Sequence, residues 1–257
     1  MTRYRARGAA SRRKALLLSC LFLVFALAAY GQEPSPDWTI DSYRWAGTLA
    51  PSSRLAVLNP YGDVRLRDAD AGEVEVSAMI QRRTSDPVKP EVRVRRRWGR
   101  LTIQVLYPTA PRGDLHRVDL TVFVPARIRV AARTRDGRIE ARGLENDLDF
   151  VSAGGDVAFS TTGTARVSTA RGDITADLRH GGWGRAPRLV TRQGDISLRL
   201  PPEVDARVRI RATGEVAVRR PARFERRTAR KVFITLGGGA HPLFLDTPRG
   251  GVTLVAP

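Results

Sequence analysis

The chain has 257 residues, a formal net charge of +18 and one cysteine, Cys20. If residues 1–31 are removed, 226 remain, enough for one domain, and with Cys20 gone disulfides and thiol chemistry are excluded from the mature protein. Lys occurs only at Lys14, Lys89 and Lys231, so 41 of the 44 basic residues are arginine. That bias has two readings, a GC-rich codon preference or a basic surface for polyanions.

A basic stretch from Arg3 to Lys14 precedes a 17-residue apolar run, Ala15 to Gly31. This is the pattern of a secretory signal peptide, with Ala29-Tyr30-Gly31 at the cleavage position and Ala26-Leu27-Ala28 as a second choice. The run is short of the roughly 20 residues a membrane span needs, yet an uncleaved anchor through residues 15–31 is the alternative. Leu17-Leu18-Ser19-Cys20 resembles a lipoprotein box, but the apolar run continues past the cysteine. Six basic charges lie in this segment, which leaves +12 for the remainder.

Residues 32–48 read as a linker, with Pro34 and Pro36, and a first strand from Trp38 to Trp45. Residues 49–257 read as one domain. Short strands are expected at Leu55–Leu58, Val64–Leu66 and Val74–Val76, then an irregular part over 78–117. Within it, loops are expected at Arg82–Pro90 and Pro108–Gly113, and a hairpin of Val92–Val94 and Leu101–Val105 around Trp98-Gly99. Val118–Val124 is an apolar strand ending at Pro125, and regular repeats fill 118–257 with a break at Arg179–Pro187.

The repeats share a phrase of glycine, a polar residue, then Ile or Val. It reads Gly62-Asp63-Val64, Gly137-Arg138-Ile139, Gly155-Asp156-Val157, Gly172-Asp173-Ile174, Gly194-Asp195-Ile196 and Gly214-Glu215-Val216, with a relaxed copy at Gly251-Val252-Thr253-Leu254. From Gly137 the spacings are 18, 17, 22 and 20 residues. Each glycine is expected at a tight corner, where φ > 0 costs it nothing. A short polar residue stands three positions earlier, at Asn59, Thr134, Ser152, Thr169, Thr191 and, before Gly250, Thr247. Such side chains bond turn backbone. Apolar residues alternate on both sides of the phrase, which is strand periodicity. A fixed period of about 17–22 residues predicts an all-β chain whose short strands stack as a β-solenoid. An antiparallel β-sandwich is the alternative.

The order of these pieces resembles the bacterial putative-adhesin family, a domain of unknown function built as a β-solenoid. The matching stretches are Leu55 to Leu66, Val118-Asp119-Leu120-Thr121-Val122-Phe123-Val124-Pro125, Thr134 to Ile139, Leu148 to Leu178, and Leu189 to Pro201. The resemblance covers nearly all of residues 50–257. It implies an exported or membrane-linked β protein with no known catalytic residues, and it is a fold-level analogy.

Candidate sites are sparse. Asp63, Asp156, Asp173 and Asp195 recur at one corner, as in calcium-binding β-rolls, but with one acid per repeat and Arg138 in the series they read as turn caps. His116, His180 and His241 lack metal-site spacing and are expected in loops. Gly181-Gly182-Trp183-Gly184 and Gly237-Gly238-Gly239 lack phosphate-loop context. Two basic clusters remain as polyanion-binding candidates. One is Arg93, Arg95, Arg96, Arg97 and Arg100; the other is Arg219, Arg220, Arg223, Arg226, Arg227, Arg230 and Lys231. Trp98 and Phe224 are interleaved with them. The expected partners are anionic lipid, envelope polysaccharide or another envelope protein, with no nucleic acid and no cofactor. A plain solvated face is the other reading. The function these features support is an exported, non-enzymatic envelope scaffold or adhesin-like interaction module in the periplasm, at the cell surface or outside the cell. A membrane-anchored regulatory or sensory domain is the alternative. A polysaccharide-active enzyme on a β-helix would need clustered carboxylates, which the sequence does not show.

Overall fold

The computed structural model describes residues 38–70, 72–84, 88–107 and 116–255. The expected signal peptide or anchor, the Pro-rich part of the linker and the loop at residues 108–113 lie outside these. Among the described residues the chain is all β. Its strands are β1 (Trp38–Thr48), β2 (Arg54–Tyr61), β3 (Val64–Ala69), β4 (Glu73–Arg83), β5 (Glu91–Arg97), β6 (Arg100–Leu106), β7 (His116–Pro125), β8 (Arg129–Asp136), β9 (Ile139–Leu144), β10 (Asp147–Gly154) and β11 (Val157–Thr161). The second half adds β12 (Ala165–Thr169), β13 (Ile174–Leu178), β14 (Arg188–Thr191), β15 (Ile196–Arg199), β16 (Ala206–Ala212), β17 (Val216–Arg219), β18 (Arg223–Arg227), β19 (Lys231–Leu236), β20 (His241–Thr247) and β21 (Val252–Val255).

These strands form two large mixed sheets in a sandwich-like layout. The 10-stranded sheet has the order β1-β4-β7-β3-β9-β11-β13-β15-β21-β17; the 11-stranded sheet has the order β18-β19-β16-β20-β14-β12-β10-β8-β2-β6-β5. From β6 to β17 consecutive strands alternate between the sheets. Parallel neighbours require a crossover of a dozen or more residues. Here the crossover is the strand in the opposite sheet, which is what a period near 20 residues supplies. Thus β10 pairs in parallel with β8 and β12, and β11 with β9 and β13. Antiparallel pairs occur at β1–β4–β7, β5–β6 and β16–β19–β18.

Alternate residues of the strands point to one shared apolar core, except on β18, which is exposed throughout. Ile174 pairs with Ile196 across β13 and β15, and both are buried. Val157, Ile139, Val64 and Leu120 extend that column one way, and Val252 the other. β-Branched side chains fit such a pleated, buried surface. Each contributes roughly 1.5–3 kcal/mol on burial.

Successive levels do not follow chain order at either end. β2 and β3 lie between the β6–β7 and β8–β9 levels, and β20 and β21 lie between β14–β15 and β16–β17. The hairpin β18–β19 returns the chain so that β20 can enter that gap. Gly194 is therefore followed in space by Gly250, not by Gly214. The 20-residue spacing from Gly194 to Gly214 spans two levels.

The corner glycines Gly62, Gly137, Gly155, Gly172 and Gly194 have φ of 115, 148, 130, 137 and 143°. Space matters as much as conformation. A Cβ on Gly172 would lie 2.4 Å from the carbonyl oxygen of Gly155, and one on Gly194 2.2 Å from that of Gly172. Gly214 does not share the positive φ. It stands against Gly250, where an added Cβ would meet backbone at 2.8 Å.

The expected hairpin forms, with Trp98 and Gly99 at φ of 45 and 67° in a two-residue loop of the mirror-image type that matches strand twist. Two loop expectations are corrected. β4 continues to Arg83 because it is paired on both sides, by β1 and β7. His116 is not in a loop. It begins β7, is buried beside Tyr107, and its Nε2 lies 3.1 Å from the Val88 carbonyl oxygen. His241 likewise opens β20. The break at residues 179–187 has no strand, yet it sends Trp183 into the core.

Candidate functional site

Period 2 fixes which residues leave the 11-stranded sheet on its outer side. On β2, β6 and β8 these are Arg54, Ala56 and Leu58; Arg100, Thr102 and Gln104; Arg129, Ala131 and Arg133. Register does the rest. Arg54 pairs with both Arg100 and Arg129, and Ala56 with both Thr102 and Ala131. Three guanidiniums are thus set side by side above a floor of small side chains. Arg133, Arg166 and Arg185 complete the rim of a basin of about 550 Å³. Asp147 and Asp149 are its acids, and Arg185 reaches Asp147 at 3.9 Å. Asp147 and Asp149 are the register neighbours of Arg129 and Arg166, yet among the described residues no carboxylate forms an ion pair with Arg54, Arg100, Arg129, Arg133 or Arg166. Six cations against two anions make the basin an anion trap. Guanidinium forks suit planar or tetrahedral oxyanions.

A second recess of about 270 Å³ lies on the same face, between Arg188, Arg209, Arg211, Lys231, Phe233, Phe244 and Asp246. The Arg209 guanidinium sits 5.7 Å from the Phe244 ring centroid, within cation–π range. Arg211 approaches Asp246 at 3.8 Å.

The two basic clusters of the sequence do not form one surface. β5 and β18 are the opposite edges of the 11-stranded sheet. Ten strand steps separate them, roughly 48 Å. Arg93, Arg95 and Arg97 point outward with Arg100, by their pairing with Gln104, Thr102 and Arg100. Arg223, Arg226 and Lys231 also point outward, opposite Thr235, Phe233 and Arg211. Arg96 and Arg227 are opposite core residues Leu101 and Val232, at sheet edges. Arg96 donates to the Thr48 carbonyl. Arg219 belongs to the other sheet, and Arg230 to the bend before β19. Arg220 is a structural clamp. It donates to the carbonyl oxygens of Leu200, Pro201 and Pro202 at 3.2, 3.1 and 3.1 Å, and burial lowers its pKa. Arg93 is tied to Glu91 at 2.8 Å; this hydrogen bond lowers the carboxyl pKa and raises that of the guanidinium. Arg97 lies 4.1 Å from the ring centroid of Trp98, which is 88% exposed.

Arg54, Arg129, Arg133, Arg166 and Arg185 were not marked by clustering, because the chain supplies them from separate repeats. A signal existed. Arg54-Leu55-Ala56-Val57 and Arg129-Val130-Ala131-Ala132 are the same pattern, the same distance before their glycines.

The corner aspartates accept backbone N–H groups. Asp156 Oδ1 takes the Asp173 N–H at 2.9 Å, and Asp195 Oδ1 takes the Gly251 N–H at 2.7 Å. Among the described residues no group of three or more His, Cys, Asp or Glu is placed to hold a metal ion.

No family model and no curated protein matches the chain. Solved structures do. A putative cell adhesion protein from Clostridium sporogenes aligns at 11% identity over 84% of this chain and 100% of that one, with a TM-score of 0.52. A putative adhesin from Bacteroides fragilis aligns at 10% identity over 88% of this chain and 100% of that one, with a TM-score of 0.36. The Clostridium likeness shows a shared fold, and at 11% identity no more than a fold.

Proposed function

We propose that this is an exported, non-enzymatic interaction module of the cell envelope, its levels stacked as a β-solenoid, that binds anionic groups through the outer face of its 11-stranded sheet. The observation that carries this reading is the row Arg100–Arg54–Arg129. Like charges on neighbouring strands destabilise a sheet; Asp147 on β10 stands beside Arg129 at the end of the row, but among the described residues no carboxylate forms an ion pair with any of the three arginines. Arginines such as Arg44, Arg65, Arg117 and Arg142 also lie on the 10-stranded sheet, as a codon preference would have it, but six converge on this one basin. Fold similarity to a protein named for cell adhesion agrees with the reading without fixing it. The test is co-sedimentation of the mature protein with acidic and neutral polysaccharide, and with anionic and zwitterionic vesicles, at low and high salt. Retention by an anionic ligand at low salt, lost at high salt, is the expected result. Indifference to ligand charge would sink the proposal.

A second reading keeps residues 15–31 as an anchor. It is favoured by the exposed apolar residues Trp38 and Ile40 on β1, which opens seven residues after such an anchor in sequence, and Met79 on its neighbour β4. Cell fractionation and the mass of the mature chain decide between release and anchoring.

A further inference from the structure

One outward row of the 11-stranded sheet links its two recesses. In register it reads Arg166, Arg188, Phe244, Arg209, Phe233 and Arg226, on β12, β14, β20, β16, β19 and β18. Beyond Phe244, arginine and phenylalanine alternate strand by strand. Neighbouring strands are about 4.8 Å apart, so Arg188 and Arg209, flanking Phe244, stand about 9.6 Å apart at the backbone. Both phenylalanines are half-buried and lie in the sheet face, while the three nearest arginines are exposed.

We propose that this row is a binding track for an acidic polysaccharide running across the strands, a deepening that rests on the anion-binding reading above. A sugar ring offers an apolar face that can lie flat on an aromatic side chain, and a uronate offers a planar carboxylate that an arginine fork grips with two parallel bonds. The alternation of Phe and Arg matches that alternation of chemistry. The Arg209 guanidinium lies over the Phe244 ring, 5.7 Å from its centroid, so charge and aromatic face are already presented together. A lipid surface fits less well. Phenylalanines set into a flat strand face cannot enter a bilayer, and headgroups need only the charge. The row also leads toward the arginine basin through Arg166, which lines both the row and the basin.

The test compares three probes on the mature protein at low salt: polygalacturonate, polyphosphate of matched charge, and phosphatidylglycerol vesicles. Polygalacturonate should bind most tightly per charge. Phe244→Leu should weaken it about fivefold and leave polyphosphate unchanged, while Phe244→Tyr should restore it. Thermal unfolding verifies that each variant is folded; should Phe244→Leu fail there, Phe233→Leu carries the same expectation. If both polymers bind but the leucine variants weaken both equally or neither, the track is wrong and the anion-binding reading stands. If vesicles outcompete polygalacturonate, the track is wrong and the partner is lipid. If no anion binds, both readings fall.

Discussion

Asp173 Oδ1 accepts the backbone N–H of Asp195 at 2.8 Å, one level further along the stack. Asp119 does the same for Asp63 at 2.8 Å, and Asp63 for Arg138 at 3.0 Å. Each corner carboxylate therefore holds the start of the next level's strand. Arg138 breaks the series, since a guanidinium accepts nothing, and the N–H of Asp156 donates to no such carboxylate among the described residues.

Asp173→Ala should cost about 1 kcal/mol, because the freed N–H can turn to water at an exposed corner. Ile174→Ala next to it should cost about 2–5 kcal/mol, since its pocket cannot fill with water cheaply. Urea unfolding of the two variants checks the ratio. Equal losses would contradict the assignment of Ile174 to the core and Asp173 to the corner.

Gly172→Ala and Gly99→Ala separate conformation from space. Both glycines have positive φ, but a Cβ at Gly99 meets nothing within 4 Å, whereas at Gly172 it meets the Gly155 carbonyl oxygen at 2.4 Å. The change at Gly99 should cost about 1 kcal/mol, the left-handed penalty alone. The change at Gly172 should cost at least twice that, because two levels must part. Thermal or urea unfolding reads the difference; similar values would mean that the levels are not in contact at the glycines.

Arg54 is flanked by two arginines, so its removal should relieve repulsion. Arg54→Thr, also a better strand former, should leave stability unchanged or raise it by up to about 1 kcal/mol at low salt, and the gain should fade at high salt. A loss of stability in unfolding curves at low salt would show that Arg54 has a structural role that its surroundings do not reveal.

Tyr107 is half-buried against the core and donates its hydroxyl hydrogen to the Tyr61 carbonyl oxygen at 3.0 Å. Burial, with the nearby Tyr61 and Asp119 adding to it, raises its pKa well above the ordinary tyrosine value. The neutral phenol is the form the fold prefers. Its contribution is therefore complete below the unfolded-state pKa of about 10 and is lost as pH rises beyond it. Ultraviolet difference titration should show a tyrosine that ionises only with alkaline unfolding, and Tyr107→Phe should remove that late step. Early titration of every tyrosine would place Tyr107 in water.

Local signals carried much of this fold. The Trp98-Gly99 hairpin, the corner glycines and the inward Ile174 and Ile196 follow from turn chemistry and period 2 alone. Four of the six polar residues before the glycines bond backbone as expected: Asn59, Thr169, Thr191 and Thr247, the last two donating to the carbonyl oxygens of Gly172 and Gly194 at 2.9 and 2.7 Å; the hydroxyls of Thr134 and Ser152 have no hydrogen-bond partner among the described residues. Stacking order was not legible. Spacing counts residues, whereas the insertion of β20–β21 between β14–β15 and β16–β17 depends on a hairpin that returns the chain. The binding face was hidden for the same reason. Arg93–Arg100 are neighbours in sequence and share one edge strand and its partner, while Arg54 and Arg129 are 75 positions apart and adjacent in space.

The direct test of the anion-binding face is the affinity of the mature protein for polygalacturonate as two triple variants are compared at low salt. Changing Arg54, Arg100 and Arg129 to Gln should weaken binding roughly tenfold to a hundredfold, as three simultaneous contacts of about 0.5–1 kcal/mol each imply. Changing Arg95, Arg96 and Arg97 to Gln should weaken it less, since these lie at the β5 edge and Arg96 is held by the Thr48 carbonyl. Equal weakening by the two triples, or none by either, would contradict the account and leave the arginines to composition alone.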